Sequence, residues 1–357
     1  MTSPQKHLLH VFPTFAVGGS QMRFAQLARL HGSRYRHSVL ALDQNYDMAK
    51  RLAGIDCLDL KFDKRRSLES LGLFHRTLKR VAPDVLLTYN WGAVEWALVN
   101  RLGLKRPHIH VEDGFGPEEA KKQLLRRVWM RRLALSGRGT TVILPSRNLE
   151  RIALGQWKLA PKQVRFIPNG IDCARFDVPR TGGGATVIGT VATLRREKNL
   201  PRLIKSFARL RERRAPGSIE LLIVGDGGER SALESLAGGL GVPVTFAGQS
   251  DRPEDWLARM DIFALPSDTE QMPLSLLEAM AAGLPVVASD VGDVAQMVSS
   301  ANSAYVVPAD DEAFLAGLAR LLDDKAAQAE IGRENRKKAR ENFDERVMAA
   351  RYADLIG

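Results

Sequence analysis

Two glutamates eight residues apart, Glu270 and Glu278, frame a helix start in the stretch DIFALPSDTEQMPLSLLEAMAAGLPVVASDVG, residues 261–292. Free backbone N–H groups at the start of a helix hold a phosphate, and nearby carboxylates accept hydrogen bonds from sugar hydroxyls. A nucleotide sugar needs both. Here the N–H groups of Leu274 and Ser275, with the Ser275 hydroxyl, would meet the phosphate. Arg195 and Lys198 flank another loop, after the apolar run 187–194, where a diphosphate could be clamped by a bidentate guanidinium and an ammonium point charge. Cations at a helix start oppose the helix dipole, so their position itself points to a bound anion. The plain alternative leaves Glu270 a loop carboxylate and Glu278 on a solvated face, since such a spacing arises easily by accident. No well-placed Asp-x-Asp for a metal is present.

The elements that must position these groups are legible as patterns. Residues 262–265 and 286–288 are short apolar runs flanked by turn residues, as buried strands are. Between them Pro273 suits a helix start and Gly283 with Pro285 a stop, while Leu276, Leu277, Met280 and Ala281 recur at helical spacing. Elsewhere short apolar runs alternate with helical patterns, which predicts parallel sheets with crossover helices. Strands are expected at 7–13, 38–42, 85–89, 109–111, 142–144 and 164–167, then at 187–194, 220–224 and 244–248. Gly18 and Gly19 make a turn at a carboxyl edge, a binding lip or a purely structural tight turn. Asn90 follows a strand at such an edge, and Gly225 opens a Gly-Asp-Gly-Gly turn. The run Thr181-Gly182-Gly183-Gly184 marks a domain junction.

At 357 residues the chain is long enough for two domains, and an apolar fraction of 45% indicates a globular protein. No apolar run approaches a membrane span, and the N-terminus lacks the apolar core of a signal peptide. Two cysteines, Cys57 and Cys173, form neither framework nor metal spacing, which agrees with a reducing, cytosolic compartment. The net charge is +11. Between residues 121 and 149 stand eight basic residues and no acidic one, and the stretch KKQLLRRVWMRRLAL reads as a helix. With Leu124, Leu125, Val128, Trp129 and Leu133 on one face and the charges on the other, residues 121–138 would dock on an anionic membrane. A solvated helix with core contacts is the alternative. Nucleic acid is not expected, because the stretch lacks interleaved aromatics beyond Trp129.

The opening stretch resembles the donor-site signature of the GT-B glycosyltransferases of retaining family 4, E-x7-E followed by an alanine-rich helix and the words GxPVVAxDVGD, here Gly283 to Asp293. Gln271 stands where many members carry Gly. Ile167-Pro168-Asn169-Gly170-Ile171-Asp172 resembles the family's interdomain phrase, and Leu194, Glu197 and Lys198 fit its G-R-L-x-x-E-K, with Thr193 in the Arg position and Arg195 two residues on. Gly225 lies in a turn similar to the family's VGDGP. Many relatives carry a His-Gly pair where this chain has Asp113-Gly114, with His110 three residues earlier, so Asn90, His110 and Asp113 are candidates for the acceptor side.

The resemblance implies an α/β GT-B fold, two Rossmann-like domains facing each other across a cleft. Its parts would be 1–168, a linker at 169–184, a donor domain at 185–340 and a closing helix at 341–357 that crosses back to the first domain. It implies a retaining, metal-independent hexosyltransferase without cofactor, using a nucleoside diphosphate sugar, UDP favoured over GDP. Glu270, Arg195 and Lys198 would be catalytic, with Glu270 holding sugar hydroxyls and Glu278 the ribose. Gly18, Gly19, Gly225, Leu274 and Ser275 would complete the donor site. The acceptor would be a lipid-linked or cell-envelope glycan of the lipopolysaccharide or exopolysaccharide kind, reached in the cytoplasm or on the inner membrane face. A nucleotide-sugar epimerase or hydrolase of similar fold is the alternative.

Overall fold

The computed structural model describes residues 5–60, 67–115, 117–119, 122–181 and 183–357. Lys121, Gly116 and Gly182 of the segments discussed above lie outside the described residues. The chain divides into two units, Met1–Asn169 with Met348–Gly357, and Gly170–Val347.

The first unit is built on strands β1 (Lys6–Phe12), β2 (Tyr35–Ala41), β3 (Ile55–Cys57), β4 (Val85–Tyr89), β5 (His108–Val111), β6 (Thr140–Leu144) and β7 (Val164–Phe166). Their order is β3-β2-β1-β4-β5-β6-β7, and every neighbouring pair is parallel. Continuous apolar runs such as VLLTY in β4 are buried throughout, because helices cover both faces of a parallel sheet. The helix Glu345–Ile356 packs Met348, Tyr352 and Ile356 into this unit's core beside Leu8, Phe24 and Tyr35.

The second unit has strands β8 (Thr186–Val191), β9 (Ile219–Val224), β10 (Val244–Gly248), β11 (Ile262–Leu265), β12 (Val286–Ser289) and β13 (Val306–Val307), in the order β10-β9-β8-β11-β12-β13 and again all parallel. Its core gathers Phe263, Leu265, Leu276, Leu277 and Met280 on one side of the sheet and Ile188, Leu203, Phe207 and Phe314 on the other.

Most of the expected strands form within a residue or two of the pattern. β3 and β13 were not legible, since three residues (IDC) and two (VV) at sheet edges carry too little periodicity. The run expected as strand 187–194 ends at Val191. Leu194 is fully buried, which explains the apolar reading, but its N–H bonds to the Asp226 carbonyl at 3.0 Å in a loop contact.

Candidate functional site

In each sheet the strand order reverses beside the first strand, between β1 and β4 and between β8 and β11. Ligands of such sheets bind outside the carboxyl ends of the strands at that point. In the second unit the loops leaving β8 and β11 carry Lys198 and Glu270. Lys198 Nζ lies 2.6 Å from Glu270 Oε1, and Ser267 Oγ donates to the same oxygen at 2.8 Å. Glu270 Oε2 receives no protein donor among the described residues. Lys198 is 24% exposed and Glu270 8%, so the pair stands at the rim of the protein and partly in water. One backbone and one side-chain bond fix the two loops to one another: Asp268 N–H donates to Glu197 O at 2.9 Å, and Asn199 Nδ2 to Asp268 Oδ1 at 2.9 Å.

The loop after β12 braces the Glu270 segment from behind. Asp293 N–H donates to Gln271 O at 3.1 Å, and Gly292, at φ +58, comes so close that a Cβ would lie 2.2 Å from the Glu270 carbonyl oxygen. A side chain there would push Glu270 out of place. Gly225 plays the equivalent part for the β8 loop: at φ +132 a Cβ would lie 1.9 Å from Ala192 O. Its place in the site is thus to let two loops touch.

The helix after Glu270 runs Leu274–Ala281, with Pro273 as its cap residue and no side chain capping its first N–H groups. Pro273 therefore precedes the first turn rather than opening it. The N–H groups of Leu274 and Ser275 are among those a helix start leaves without intrahelical partners. Glu278, one turn on, is half-buried, and no donor among the described residues reaches its carboxylate. Burial pushes that carboxyl up to about 7, with Arg175 opposing the rise and Glu254 adding to it. The solvated-face alternative for Glu278 does not hold. Arg195 is less well integrated than expected: its side chain is 67% exposed and its ion partner is Glu197, at 4.0 Å.

Arg202 was invisible to sequence reasoning. On the helix Leu200–Arg211 it is 5% exposed and donates to Pro266 O (2.7 Å), Ala309 O (3.0 Å) and Asp311 (2.9 Å), with Asp268 at 3.0 Å. One guanidinium thus pins the loops after β11 and β13. The usable signal was an arginine on the apolar side of an amphipathic helix.

The first unit's carboxyl edge is organised differently. Gly18 caps the helix Gly19–His31 at φ −168, extended backbone open to any residue, and a Cβ would meet only the end of the Gln21 side chain. From that helix Arg23, 2% exposed, donates to Asp113 Oδ2 and Asn169 Oδ1, both at 2.7 Å, and Asn90 Oδ1 accepts from Asp113 N–H at 2.8 Å. Asn90 and Asp113 are brought together; His110 is not. It is fully buried, bonded to Thr88 Oγ1 at 2.8 Å and facing Glu112 at 3.5 Å, so the acceptor-side expectation for it is corrected. The reason is strand alternation, which turns His108, His110 and Glu112 to one covered face.

The basic helix, Leu125–Leu135, also departs from expectation. Arg131 is fully buried, bonded to Glu119 at 3.0 and 3.1 Å and to Glu112 at 3.2 Å, with Trp91, Phe115 and Trp157 rings about it at 5.0–5.2 Å. Arg127 pairs with Glu118 and Glu119. Acidic residues upstream of the stretch thus neutralise its inner face. Of the expected apolar face Leu125, Trp129 and Leu133 are exposed, beside Lys122, Arg126 and Arg132, while Leu124 and Val128 are partly buried. No helix among the described residues is long and apolar enough to cross a membrane.

Residues 17–175 match the model of the family described as Glycosyltransferase Family 4, and residues 185–324 that described as Glycosyl transferases group 1. Both units carry glycosyltransferase domains. The chain is 28% identical over 218 residues, 58% of itself and 61% of the relative, to the lipopolysaccharide core biosynthesis glycosyltransferase LpsE of Rhizobium meliloti. It is 25% identical over 280 residues, 73% of itself and 72% of the relative, to the UDP-Gal:alpha-D-GlcNAc-diphosphoundecaprenol alpha-1,3-galactosyltransferase of Escherichia coli. The chain spans about half the length of other curated relatives it matches, 47% and 43% in two of them. In fold it is similar to the crystal structure of Anabaena HepE in complex with UDP, with a TM-score of 0.81 at 19% identity over 98% of each chain. The architecture is that of GT-B glycosyltransferases, two Rossmann-like parallel-sheet domains. The second glycosyltransferase domain holds Lys198, Glu270, Leu274, Ser275, Glu278 and Gly225; the first holds Gly18, Gly19, Asn90 and Asp113.

Proposed function

We propose that the protein transfers a hexose from a nucleoside diphosphate sugar to a lipid-linked or cell-envelope glycan, with retention of configuration and without a metal ion. The observation that carries this reading is the Lys198–Glu270 pair at the reversal point of the second sheet, 2.6 Å apart, with Glu270 Oε2 free of protein donors among the described residues. A diphosphate entering there competes for the Lys198 ammonium, and the released carboxylate accepts from sugar hydroxyls. As the bond from the anomeric carbon to the diphosphate breaks, its electrons pass to the phosphate oxygen. Lys198 and the N–H groups of Leu274 and Ser275 stabilise that charge, in the way of preorganised donors in an oxyanion hole. Glu278 takes the ribose hydroxyls. Asp113 and Asn90, on the first unit's edge, belong to the acceptor side of the reaction.

The relatives named for lipopolysaccharide core biosynthesis and for a diphosphoundecaprenol acceptor support an envelope glycan as the product, and UDP as the donor nucleotide finds support in the names of the galactosyltransferase and of the HepE complex. The outward Leu125, Trp129 and Leu133 with their basic neighbours form the surface proposed to meet an anionic inner-membrane face. Incubation with UDP- and GDP-hexoses, with and without lipid-diphosphate acceptors, tests the reading by chromatography of the products. A new glycolipid formed only in the presence of acceptor is expected. Donor turnover to an isomer or free sugar without acceptor would favour the epimerase or hydrolase instead.

A further inference from the structure

The helix Lys325–Asn342 presents Lys325, Arg333 and Arg336 along one side, and with Arg180 they line a cavity of about 430 Å³. No carboxylate belongs to its lining among the described residues. The volume falls within the range of about 300–1,000 Å³ usual for small-ligand sites. Gly283 and Gly332 also line it, in contact so close that a Cβ on Gly332 would lie 2.3 Å from the Gly283 carbonyl oxygen.

The position is remote from the nucleotide edge. Arg180 pairs with Asp261 at 2.6 Å, just before β11; Gly283 precedes β12; and Lys325 Nζ donates to Thr186 Oγ1 at 3.1 Å, where β8 begins. Because the strands are parallel, these places share the amino edge of the sheet, while Lys198 and Glu270 leave its carboxyl edge.

The charges here do not balance. Asp261 answers Arg180, and Glu334 lies 3.4 Å from its sequence neighbour Arg333. Asp177 is shared between Arg336 at 3.4 Å and Arg340 at 2.7 Å. Among the described residues Lys325 meets neutral oxygens alone, Thr186 Oγ1 and Gln328 Oε1 at 3.2 Å. The four lining cations therefore meet three carboxylates among the described residues, one of which, Asp177, is shared with Arg340 outside the lining. Arg336 Nη2 donates to Ala282 O at 2.8 Å, but a carbonyl offers only a partial charge, and Arg336 Nε is buried with no acceptor among the described residues. Like charges gathered without counter-charge repel at this range, and a bound anion removes the repulsion.

We propose that this cavity is a second anion site, which takes a ligand bearing one or two phosphate groups. Arginine forks grip phosphate oxygens bidentately and lysine adds a point charge. The phosphate arrives on a free small molecule or as a lipid headgroup.

The test uses the full chain in a Lys198→Ala background, so that the nucleotide edge contributes little, and calorimetric titration with inorganic diphosphate at low ionic strength. Binding should persist in Lys198→Ala and weaken about tenfold or more on adding Lys325→Ala and Arg333→Ala. Both added positions are exposed and their loss relieves repulsion, so the unliganded thermal midpoint should not fall. Absence of binding in Lys198→Ala, or binding that the two added substitutions leave unchanged, overturns the proposal. Sedimentation with phosphatidylglycerol vesicles separates the two sources. Vesicle binding lost in Lys325→Ala/Arg333→Ala assigns a lipid phosphate; vesicle binding untouched while diphosphate affinity falls assigns a free one. Because the readout is binding at the amino edge, its failure leaves the transferase reading intact, and the reverse also holds.

Discussion

The two carboxyl edges share one topology and use their polar groups in opposite ways. On the second unit's edge, among the described residues, Glu270 keeps one oxygen without a protein donor, Lys198 is partly in water, and Glu278 accepts no hydrogen bond. On the first unit's edge Arg23 closes over Asp113 and Asn169, and behind it lie buried histidines and the Arg131 cage. An edge that leaves hydrogen-bonding capacity unused is prepared for a ligand; an edge that uses it internally is prepared to stay rigid. The contrast is sharpest between Lys198 and Arg131, two cations in basic stretches of sequence. One answers a half-open carboxylate, the other two buried ones.

The comparison can be broken at its rigid end first. Arg131→Leu leaves Glu112 buried without its arginine and Glu119 with Arg127 alone, and should cost about 3–5 kcal/mol of stability, read by thermal or denaturant unfolding. A loss under about 1 kcal/mol would mean the cage relaxes easily and the first edge is not rigid. At the open end, Lys198→Ala should lower kcat/KM with a UDP-hexose by about a hundredfold or more at nearly unchanged stability. An equal fall in melting temperature for the two variants would erase the distinction between edges.

Acidity distinguishes the units next. Burial drives His37 down to about 4, so it stays neutral in the fold while an unfolded chain takes up a proton below 6.5. Its contribution to stability is present above pH 6.5 and is lost as pH falls towards 4. Glu278, raised to about 7, has the opposite sign: the fold holds a proton that the unfolded chain releases, so stability falls as pH rises from about 4.5 to 7. His37→Phe and Glu278→Gln should each flatten its own slope in melting temperature against pH. Ribose hydroxyls donating to Glu278 favour its anion, so UDP binding near pH 6 should release a fraction of a proton, seen as buffer-dependent calorimetric heat that Glu278→Gln abolishes. The smallest effect belongs to Arg195. With its guanidinium mostly in water, Arg195→Ala should change kcat/KM by about twofold, and less at high salt.

How much of this was legible follows from where the information resides. The apolar words around Val286–Ser289 and Ile262–Leu265 are local and read correctly as strands, whereas the close approach of Gly292 to the Glu270 carbonyl appears only in the fold. The long E-x7-E phrase placed Glu270 and Glu278 on a loop and on the helix after it. Arg202, Arg23 and Arg131 were not legible as buried hubs, because a cation in a helix reads as solvated until distant carboxylates and carbonyls arrive. His110 failed for the converse reason, a chemically able residue turned inward by strand pleating.

By itself, the order of residues determined the alternation of strands and helices and the Glu270 and Glu278 helix start, since periodicity and helix signals depend on neighbours a few residues away. The tertiary structure alone decided which charges are answered and which are left open. Glu112 and Glu119 reach Arg131, and Glu270 reaches Lys198 across 72 residues, only when parallel strands bring separate loops to one edge. Electrostatic energy depends on distance through space and on burial, and neither is written along the chain.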